Sequence, residues 1–209
     1  MITSGLFITL EGVEGAGKST LMDYMADLVS RAGHELVVTR EPGGTKTGEQ
    51  IRDILLDSNN EGLSDDTELL LMFAARAQHI QEIIKPALTE NKIVICDRFT
   101  DASYAYQGGG RGIDSDRIKI LEDWVQQGLQ PDLTILFDLD VEIGLRRAGK
   151  RSEADRFEQE QKEFFEQVRA CYLDRAKQFS ERYRIIDSSK PLDAVKQQLK
   201  TVLQEKGLC

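Results

Sequence analysis

Apolar residues are concentrated in five short runs, and the stretches between the runs have helical periodicity. The runs cover residues 6–10, 35–39, 92–96, 133–138 and 183–187. Residues 93–95 and 133–137 are apolar on both faces of a strand, which is typical of a parallel sheet covered by helices on each side. Since strands alternate with helices, the pattern predicts a doubly wound α/β fold with a five-stranded parallel sheet.

Apolar positions that recur every three or four residues predict helices over residues 20–31, 66–91 and about 159–181, followed by a closing helix. Ser64 or Asp65 is the expected N-cap of the second helix, and Glu68 suits a capping box. Pro86 should kink this helix or begin a new short turn. Loops are predicted over 40–48 and 108–112, and residues 146–160 form a third loop-like segment packed with charged residues.

Composition places limits on the class of protein. The chain has 209 residues, 40% hydrophobic and 30% charged, which fits one globular domain over residues 1–209. Its formal charge of −9 argues against nucleic acid as a partner. The longest apolar runs are far too short to cross a membrane, the N-terminus does not resemble a signal peptide, and the three widely spaced cysteines suit a reducing cytoplasm.

One segment carries a strong chemical signal. Residues 12–19, Gly-Val-Glu-Gly-Ala-Gly-Lys-Ser, match G-x-x-x-x-G-K-[ST] between a predicted strand and a predicted helix, which is the context of a phosphate-binding P-loop. In such a loop, backbone N–H groups and the helix N-terminus bind phosphate, Lys18 reaches the β- and γ-phosphates, and the Ser19 hydroxyl ligates Mg²⁺. The residues predicted to bind ATP are Gly12, Val13, Glu14, Gly15, Ala16, Gly17, Lys18, Ser19 and Thr20.

The chain lacks the other motifs of a GTPase. No Asp-x-x-Gly occurs, and the segment that begins Asn91-Lys92 has no Asp at the position that recognises guanine. Asp97-Arg98, by contrast, follows the third predicted strand, at the edge of the sheet where ligands bind. We expect Asp97 to hold Mg²⁺ opposite Ser19, and Arg98 to bind a second phosphate or the transferring group. The alternative for this pair is an ordinary surface ion pair.

Six motifs occur in an order that resembles the thymidylate kinase family nearly end to end. They are the P-loop at 12–19, Thr-Arg-Glu-Pro-Gly-Gly-Thr at 39–45, Phe-Ala-Ala-Arg at 73–76, Asp-Arg-Phe at 97–99, Tyr-Ala-Tyr-Gln-Gly-Gly-Gly-Arg-Gly at 104–112 and Asp-Arg-Phe-Glu at 155–158. The resemblance implies a P-loop fold of the nucleoside monophosphate kinase type with a short lid. It also implies that ATP phosphorylates dTMP with Mg²⁺, and that the enzyme is a homodimer.

The resemblance also implies roles in binding the thymine base and the sugar. Phe73 would stack on thymine, although its neighbour Met72 competes for that position. Arg76 would donate to a thymine carbonyl. The remaining predicted contacts are Ser103 and Gln107 at the base edge and Tyr104 near the sugar 2′ position, with Tyr106 expected to be ordinary packing.

Further residues of the acceptor site follow from the same resemblance. Glu14, an acidic residue inside the P-loop, would accept from the 3′-hydroxyl of dTMP and pair with a phosphate-binding Arg. Glu41 and Pro42 would shape the acceptor cleft, and Arg52 would contact the acceptor phosphate, while Arg40 is a weaker candidate. On the donor side, residues 188–191 follow the fifth strand and are candidates for adenine contact.

The charged segment 146–160 is the predicted lid. A charge run is usually a solvated face, but a mobile Arg that closes over the phosphates can stabilise the charge of phosphoryl transfer. The family resemblance implies that a chain with an acidic P-loop residue, like the bacterial type, carries its catalytic Arg in the lid. Arg151 is the first candidate and Arg156 the second, with Asp155 and Glu158 as residues that orient them. The predicted catalytic set is Lys18, Arg98, Arg151, Arg156 and Glu14.

Two other functions stay open. The first is another nucleoside monophosphate or deoxynucleoside kinase on the same fold. The second is a P-loop module that binds nucleotides without catalysis, which the intact Lys18, Ser19, Asp97 and Arg98 argue against. In each case the partners are small nucleotides.

Overall fold

A computed structural model describes residues 5–60, 62–149 and 155–209 of the chain. Within these ranges, five strands form one parallel sheet in the order β2-β3-β1-β4-β5. The strands are β1 (Leu6–Glu11), β2 (Leu36–Arg40), β3 (Ile93–Asp97), β4 (Leu133–Asp138) and β5 (Tyr183–Asp187). The predicted α/β fold with a five-stranded parallel sheet is confirmed, and the bounds of β4 and β5 are those predicted. β2 and β3 each begin and end one residue later than expected.

Helices flank the sheet. The α-helices in the described ranges are α1 (Lys18–Arg31), α2 (Lys46–Leu56), α3 (Asp65–His79), α4 (Lys85–Thr89), α5 (Thr100–Ser103), α6 (Ser115–Gln126), α7 (Val141–Ala148), α8 (Lys162–Gln178) and α9 (Leu192–Glu205). A π-helical segment, Ile80–Ile84, joins α3 to α4, and a second, Tyr104–Gly110, continues α5. None of the helices in these ranges combines the length and apolarity that a bilayer crossing requires.

Four local predictions differ from the structure. The predicted helix 66–91 is divided by the first π-helical segment. Pro86 lies in the first turn of the short helix α4, which confirms the predicted alternative that it begins a new short turn. The predicted loops at 40–48 and 108–112 are shorter than expected, because α2 already begins at Lys46 and the second π-helical segment extends to Gly110. Ser64 does cap α3, but its Oγ accepts from the Thr67 N–H at 3.2 Å. Glu68 is therefore one residue past the capping-box position, and its side chain is buried in the protein.

Strand register determines where a ligand can bind. Leu10 of β1 lies beside Asp97 of β3, so the two strands end together at one edge of the sheet. The Arg98 N–H also donates to the carbonyl oxygen of Leu10 at 3.0 Å. Since the P-loop follows β1 directly, this register brings it against the Asp97-Arg98 pair at the carboxyl ends of the strands, where open α/β sheets bind ligands.

Candidate active site

The P-loop connects β1 to α1, which begins at Lys18. Gly15 has a φ of +73°, and a Cβ there would lie 2.0 Å from the carbonyl oxygen of Gly144, so only glycine fits. The Lys18 ammonium donates to the carbonyl oxygens of Gly12 at 3.0 Å and Val13 at 3.4 Å. Burial lowers the pKa of Lys18, and the positive charge of Arg98 lowers it further. The loop thus holds an ammonium group at the N-terminus of α1, as anion binding requires.

Two cavities lie on opposite sides of this loop, and Gly15, Ala16 and Gly17 line both of them. The larger cavity lies between the P-loop, the ends of β2 and β3, and the second π-helical segment. Its other wall residues include Glu14, Lys18, Ser19, Arg40, Glu41, Pro42, Arg52, Met72, Arg76, Asp97, Arg98, Ser103, Tyr106, Gln107, Asp155, Phe157 and Glu158. The smaller cavity is lined by Thr20, Leu21, Arg147, Ser188, Lys190, Leu192 and Val195. We call them the acceptor cavity and the donor cavity.

Arg98 is surrounded by groups that hold its guanidinium in the acceptor cavity. It pairs with the Glu14 carboxylate, and its guanidinium carbon lies 4.5 Å from the centre of the Tyr106 ring. The Tyr106 hydroxyl donates to Glu14 Oε1 at 3.1 Å. Burial acts to raise the pKa of Glu14, but the positive charges of Arg98 and Lys18 outweigh it, and the net pKa is lowered. An ionised carboxylate in the P-loop is therefore stabilised by these cations.

Asp97 presents a free acceptor. Its Oδ1 is buried and has no hydrogen-bond partner in the structure, which leaves it available to a cation or a donor from a ligand. Ser19 lies in the first turn of α1, and both residues line the acceptor cavity. The described residues contain no group of three or more His, Cys, Asp or Glu side chains arranged for a metal. Mg²⁺ is usually held by one or two protein oxygens together with substrate phosphates, and this pair fits that requirement.

Arg76 is buried and has its acceptors within the protein. Its Nε donates to Glu41 Oε2 at 2.7 Å, its Nη1 to Ser103 Oγ at 3.1 Å and its Nη2 to the Phe99 carbonyl oxygen at 3.1 Å. The other Glu41 oxygen lies 2.8 Å from His79 Nδ1. The cleft role expected of Glu41 therefore includes holding Arg76 in the cavity wall. His79, for which no role was predicted, is three residues after Arg76 on α3 and faces the same carboxylate.

The structure places two predicted base and sugar contacts elsewhere. Phe73 and Tyr104 pack in a buried apolar cluster with Leu69, Ile113 and Ile118, outside the acceptor cavity. Met72 lines the cavity instead of Phe73. Both side chains lie within one helical turn of Arg76, but the Phe73 ring packs within the cluster, where its centre is 4.5 Å from the Arg76 guanidinium carbon. Tyr106 lines it instead of Tyr104, whose hydroxyl donates to Glu122 Oε2 at 2.6 Å.

The remaining predicted acceptor residues are brought together. Ser103 and Gln107 line the acceptor cavity with Arg76, and the Gln107 Nε2 donates to Glu68 Oε1 at 2.8 Å. Arg52 lines the same cavity and donates to the Pro42 carbonyl oxygen at 2.9 Å. Burial lowers the pKa of Arg52, with a further contribution from the positive charge of Arg40.

The predicted lid residues are divided among different places. Arg146 and Arg147 belong to α7, and Arg147 donates to the Ser188 carbonyl oxygen at 2.9 Å beside the donor cavity. Arg151, like Lys150, lies outside the described residues. Arg156 is directed away from the P-loop, because it donates to the Leu55 carbonyl oxygen at 2.8 Å and to Glu68 Oε2 at 2.7 Å. Asp155 and Glu158, but not Arg156, line the acceptor cavity.

Besides His79, three buried polar residues close to the site were missed as functional candidates. They are Glu11, Glu68 and Tyr172. Glu11 lies at the end of β1 beside the P-loop, and a carboxylate placed directly between an apolar strand and a P-loop is a signal that sequence alone does offer. Tyr172 lies on the apolar face of α8, where it is not distinguishable from a core residue.

Comparison with known proteins identifies the family. The family model described as thymidylate kinase matches residues 10–199. The chain is 56% identical to a thymidylate kinase of Pseudomonas savastanoi pv. phaseolicola (strain 1448A / Race 6), over 97% of this chain and 96% of that protein. It is 57% identical, with the same coverage, to one of Pseudomonas syringae pv. tomato (strain ATCC BAA-871 / DC3000). The crystal structure of thymidylate kinase from Ehrlichia chaffeensis superposes with a TM-score of 0.80 at 35% identity, covering 96% of this chain and 100% of that one. The chain belongs to the thymidylate kinase family.

Proposed function

We propose that the acceptor and donor cavities are the dTMP and ATP sites of the family's reaction. The chain is a thymidylate kinase, an ATP-dependent phosphotransferase that phosphorylates dTMP to dTDP. The observation that carries the assignment of the two sites is their common wall, Gly15, Ala16 and Gly17. Two nucleotides on opposite sides of this loop can bring their phosphates together over its N–H groups, roughly in line for transfer.

The chemistry requires positioning and charge neutralisation rather than a general base, because the acceptor phosphate oxygen is already anionic. Lys18 and the P-loop N–H groups bind the β- and γ-phosphates of ATP. Arg98 binds the phosphate of dTMP or the transferring group, held there by Glu14 and Tyr106. Arg52 is close enough to the same cavity to contribute a second positive charge to the acceptor phosphate.

Ser19 and Asp97 would hold Mg²⁺. The buried, unpartnered Oδ1 of Asp97 supports this assignment, because a carboxylate oxygen without a donor is a costly feature unless a ligand satisfies it. Bound Mg²⁺ would neutralise phosphate charge as it develops during transfer.

The base and sugar contacts are proposed with two changes from the sequence prediction. Arg76, Ser103 and Gln107 recognise the thymine edge, as expected. Met72 replaces Phe73 as the apolar surface next to the base, and Tyr106 replaces Tyr104 as the residue near the sugar, because these side chains line the cavity. Tyr106 and Glu14 are hydrogen-bonded to each other, so they lie side by side in the cavity. Glu14 would accept from the sugar 3′-hydroxyl, and the Tyr106 ring would limit the space for a 2′-hydroxyl.

We further propose one domain over residues 1–209 with a lid at about 146–160, and a catalytic Arg in that lid. The support is the P-loop itself, which contains Glu14 and no Arg. Arg156 faces Glu68 rather than the P-loop, which favours Arg151. Arg151→Ala should lower kcat by about tenfold or more, the cost of removing one charged contact to the transition state, while Arg156→Ala should act through stability. A change in kcat below about twofold in Arg151→Ala would contradict the assignment.

The substrate assignment is tested by measuring ADP formation with dTMP, dUMP, UMP, dCMP and AMP as acceptors. dTMP should give the highest kcat/KM, and Lys18→Ala should abolish turnover with every acceptor. A higher kcat/KM for another monophosphate would indicate a different kinase of this fold. Nucleotide binding without ADP formation would indicate a non-catalytic module.

A homodimer is proposed from an exposed apolar surface on three adjacent helices. Ile54 of α2, Leu70 of α3, and Ile120 and Trp124 of α6 are 46%, 56%, 67% and 74% exposed. An ion pair of 2.9 Å between Arg117 and Asp66 joins α6 to α3 next to these side chains. Light scattering should show a dimer that Trp124→Asp converts to monomer. Ile185→Asp, which changes an exposed apolar residue on β5, should leave the dimer intact.

We also propose that the enzyme is located in the cytoplasm, since Cys96, Cys171 and Cys209 are all unpaired.

A further inference from the structure

Glu68 is a buried carboxylate that none of the reaction steps uses. It lies in the first turns of α3 and is 1% exposed. Three side chains donate to it: Gln107 Nε2 at 2.8 Å, Arg111 Nη2 at 3.2 Å and Arg156 Nη2 at 2.7 Å. Of these, Gln107 also lines the acceptor cavity. The carboxylate therefore contacts a candidate substrate-binding residue from the side opposite the substrate.

The chemistry of this contact determines how the Gln107 amide is turned. A carboxylate paired with two guanidinium groups only accepts hydrogen bonds. The amide must therefore present its NH₂ group to Glu68, whatever orientation an unconstrained glutamine would adopt. The reverse orientation would bring the Gln107 carbonyl oxygen against the carboxylate, which is repulsive in a buried site. The Gln107 carbonyl oxygen Oε1 is therefore the end of the amide that is available to a ligand in the acceptor cavity.

We propose that Glu68 is a specificity-determining positioning residue, which orients the Gln107 amide so that the acceptor cavity recognises an N–H on the base edge. The inference rests on the proposed function, in which Gln107 contacts the base. Arg76, which only donates, lies in the same wall and supplies the complementary preference for a carbonyl oxygen. A base with adjacent N–H and C=O groups, the imide edge of thymine, satisfies both. A base with a ring nitrogen lone pair and an amino group at these positions satisfies neither.

The sharpest test compares dTMP with 5-methyl-dCMP, which keeps the methyl group and the sugar and changes only that edge. In Glu68→Gln, the new amide can either donate or accept, so Gln107 is free to turn its NH₂ group toward the base. The ratio of kcat/KM for dTMP to kcat/KM for 5-methyl-dCMP should fall by about tenfold or more, the size expected when an unpaired buried contact is relieved. Arg76 still disfavours the amino group, so part of the discrimination should remain.

Glu160→Gln is the matched control. Glu160 accepts from Arg111 Nη1 at 2.5 Å but makes no hydrogen bond with Gln107, whose Nε2 donates to Glu68. This variant therefore removes a carboxylate from the same cluster and should leave the ratio unchanged. Melting temperatures should be measured for both variants. If Glu68→Gln does not fold, the double variant Glu68→Gln/Arg111→Gln is used in its place. The double variant removes one cation together with the carboxylate and so preserves the net charge of the cluster.

Gln107→Ala separates this inference from the proposed function. If Gln107→Ala lowers the ratio and Glu68→Gln lowers it too, with no further loss in the double variant, the two residues act as one unit, as proposed. If Gln107→Ala lowers the ratio and the folded Glu68 variants do not, Glu68 does not orient the amide and the inference is wrong. If Gln107→Ala leaves the ratio unchanged, the base contact assigned to Gln107 in the proposed function is itself wrong.

Discussion

The Tyr172 hydroxyl donates to Glu11 Oε2 at 2.7 Å and at the same time accepts from Arg98 Nη1 at 3.4 Å. Both Tyr172 and Glu11 are completely or almost completely buried. The second Glu11 oxygen accepts from the Phe99 N–H at 2.8 Å. Helix α8 and strand β1 thus fix the segment that carries Arg98, and Arg98 itself has a φ of +69°. The position of the phosphate-binding guanidinium depends on groups behind the site as well as on Glu14 within it.

Removing the Tyr172 hydroxyl should therefore impair catalysis more than folding. In Tyr172→Phe, Arg98 loses one acceptor and Glu11 loses one donor, while the ring stays packed. We expect kcat to fall by about 5- to 30-fold, corresponding to roughly 1–2 kcal/mol for a hydrogen bond in a charged, buried network. The KM for ATP should be little changed, because the donor cavity does not contain these residues. Steady-state kinetics with ATP and dTMP varied separately measures both.

Tyr183→Phe is the control for the loss of a buried tyrosine hydroxyl. The Tyr183 hydroxyl is buried without a hydrogen-bond partner, so its removal should leave kcat unchanged and should not lower the free energy of unfolding. Equal effects of the two substitutions on kcat would contradict the role assigned to Tyr172.

The P-loop could be predicted from sequence because its function requires particular residue types at consecutive positions. Glycine is needed where φ is positive and where backbone groups come close, as at Gly15. The strands could be predicted equally well, since a sheet that is buried on both faces requires runs of apolar residues separated by turns. These features depend on the chemistry of residues that are neighbours in the chain, so they can be predicted from the sequence.

The side chains that line the cavity were harder to predict, because their direction depends on helix phase. Phe73 and Met72 differ by one position on α3 and both lie within one helical turn of Arg76, but Met72 lines the cavity while Phe73 packs beneath Arg76 in the apolar cluster. Tyr104 and Tyr106 differ by two positions in a π-helical segment, whose wider turn changes the expected periodicity. Glu68 resembled a capping residue, and its true partners, Gln107, Arg111 and Arg156, are 39 or more residues away in the chain.

Glu11 predicts a distinct pH dependence of stability. Burial raises its pKa from 4.5 to about 8, with the charge of Asp101 adding to the effect. The folded protein then keeps a proton that the unfolded chain releases near pH 4.5, so this group lowers the free energy of unfolding as pH rises toward 8. Glu11→Gln removes the effect. The difference in free energy of unfolding between variant and wild type should therefore increase from pH 5.5 to 8.5, by up to a few kcal/mol.

Urea denaturation at several pH values between 5.5 and 8.5 measures this difference, with both proteins in the same buffers. Other titrating groups affect both proteins alike and cancel in the difference. A difference that stays constant across this range would show that Glu11 has no raised pKa in the folded protein.

The buried group of Arg76, Glu41 and His79 should be essential for stability. Glu41 is the acceptor for both other side chains, at 2.7 and 2.8 Å. In Glu41→Gln, the Arg76 guanidinium loses its counter-charge in a site that is 2% exposed. We expect the free energy of unfolding to fall by about 3 kcal/mol, because an uncompensated buried charge is costly. Asp27→Asn, which breaks the exposed Arg31–Asp27 pair on α1, should cost about 0.5 kcal/mol or less. Comparable losses from the two substitutions would contradict the importance of the buried group.

The last prediction concerns the contact between the P-loop and α7. A Cβ on Gly144, in the middle of α7, would lie 2.5 Å from the carbonyl oxygen of Glu14, and backbone on both sides leaves no flexible side chain to yield. In an isolated helix, alanine is more stable than glycine by about 1 kcal/mol. In this protein the added Cβ of Gly144→Ala should nevertheless push α7 away from the P-loop. Because the loop lines both cavities, we expect at least a tenfold weaker affinity for ATP by calorimetry. Gly62→Ala, where an added Cβ meets no atom within 4 Å, should leave the affinity unchanged. If Gly144→Ala binds ATP as tightly as wild type, α7 does not hold the P-loop in its binding conformation.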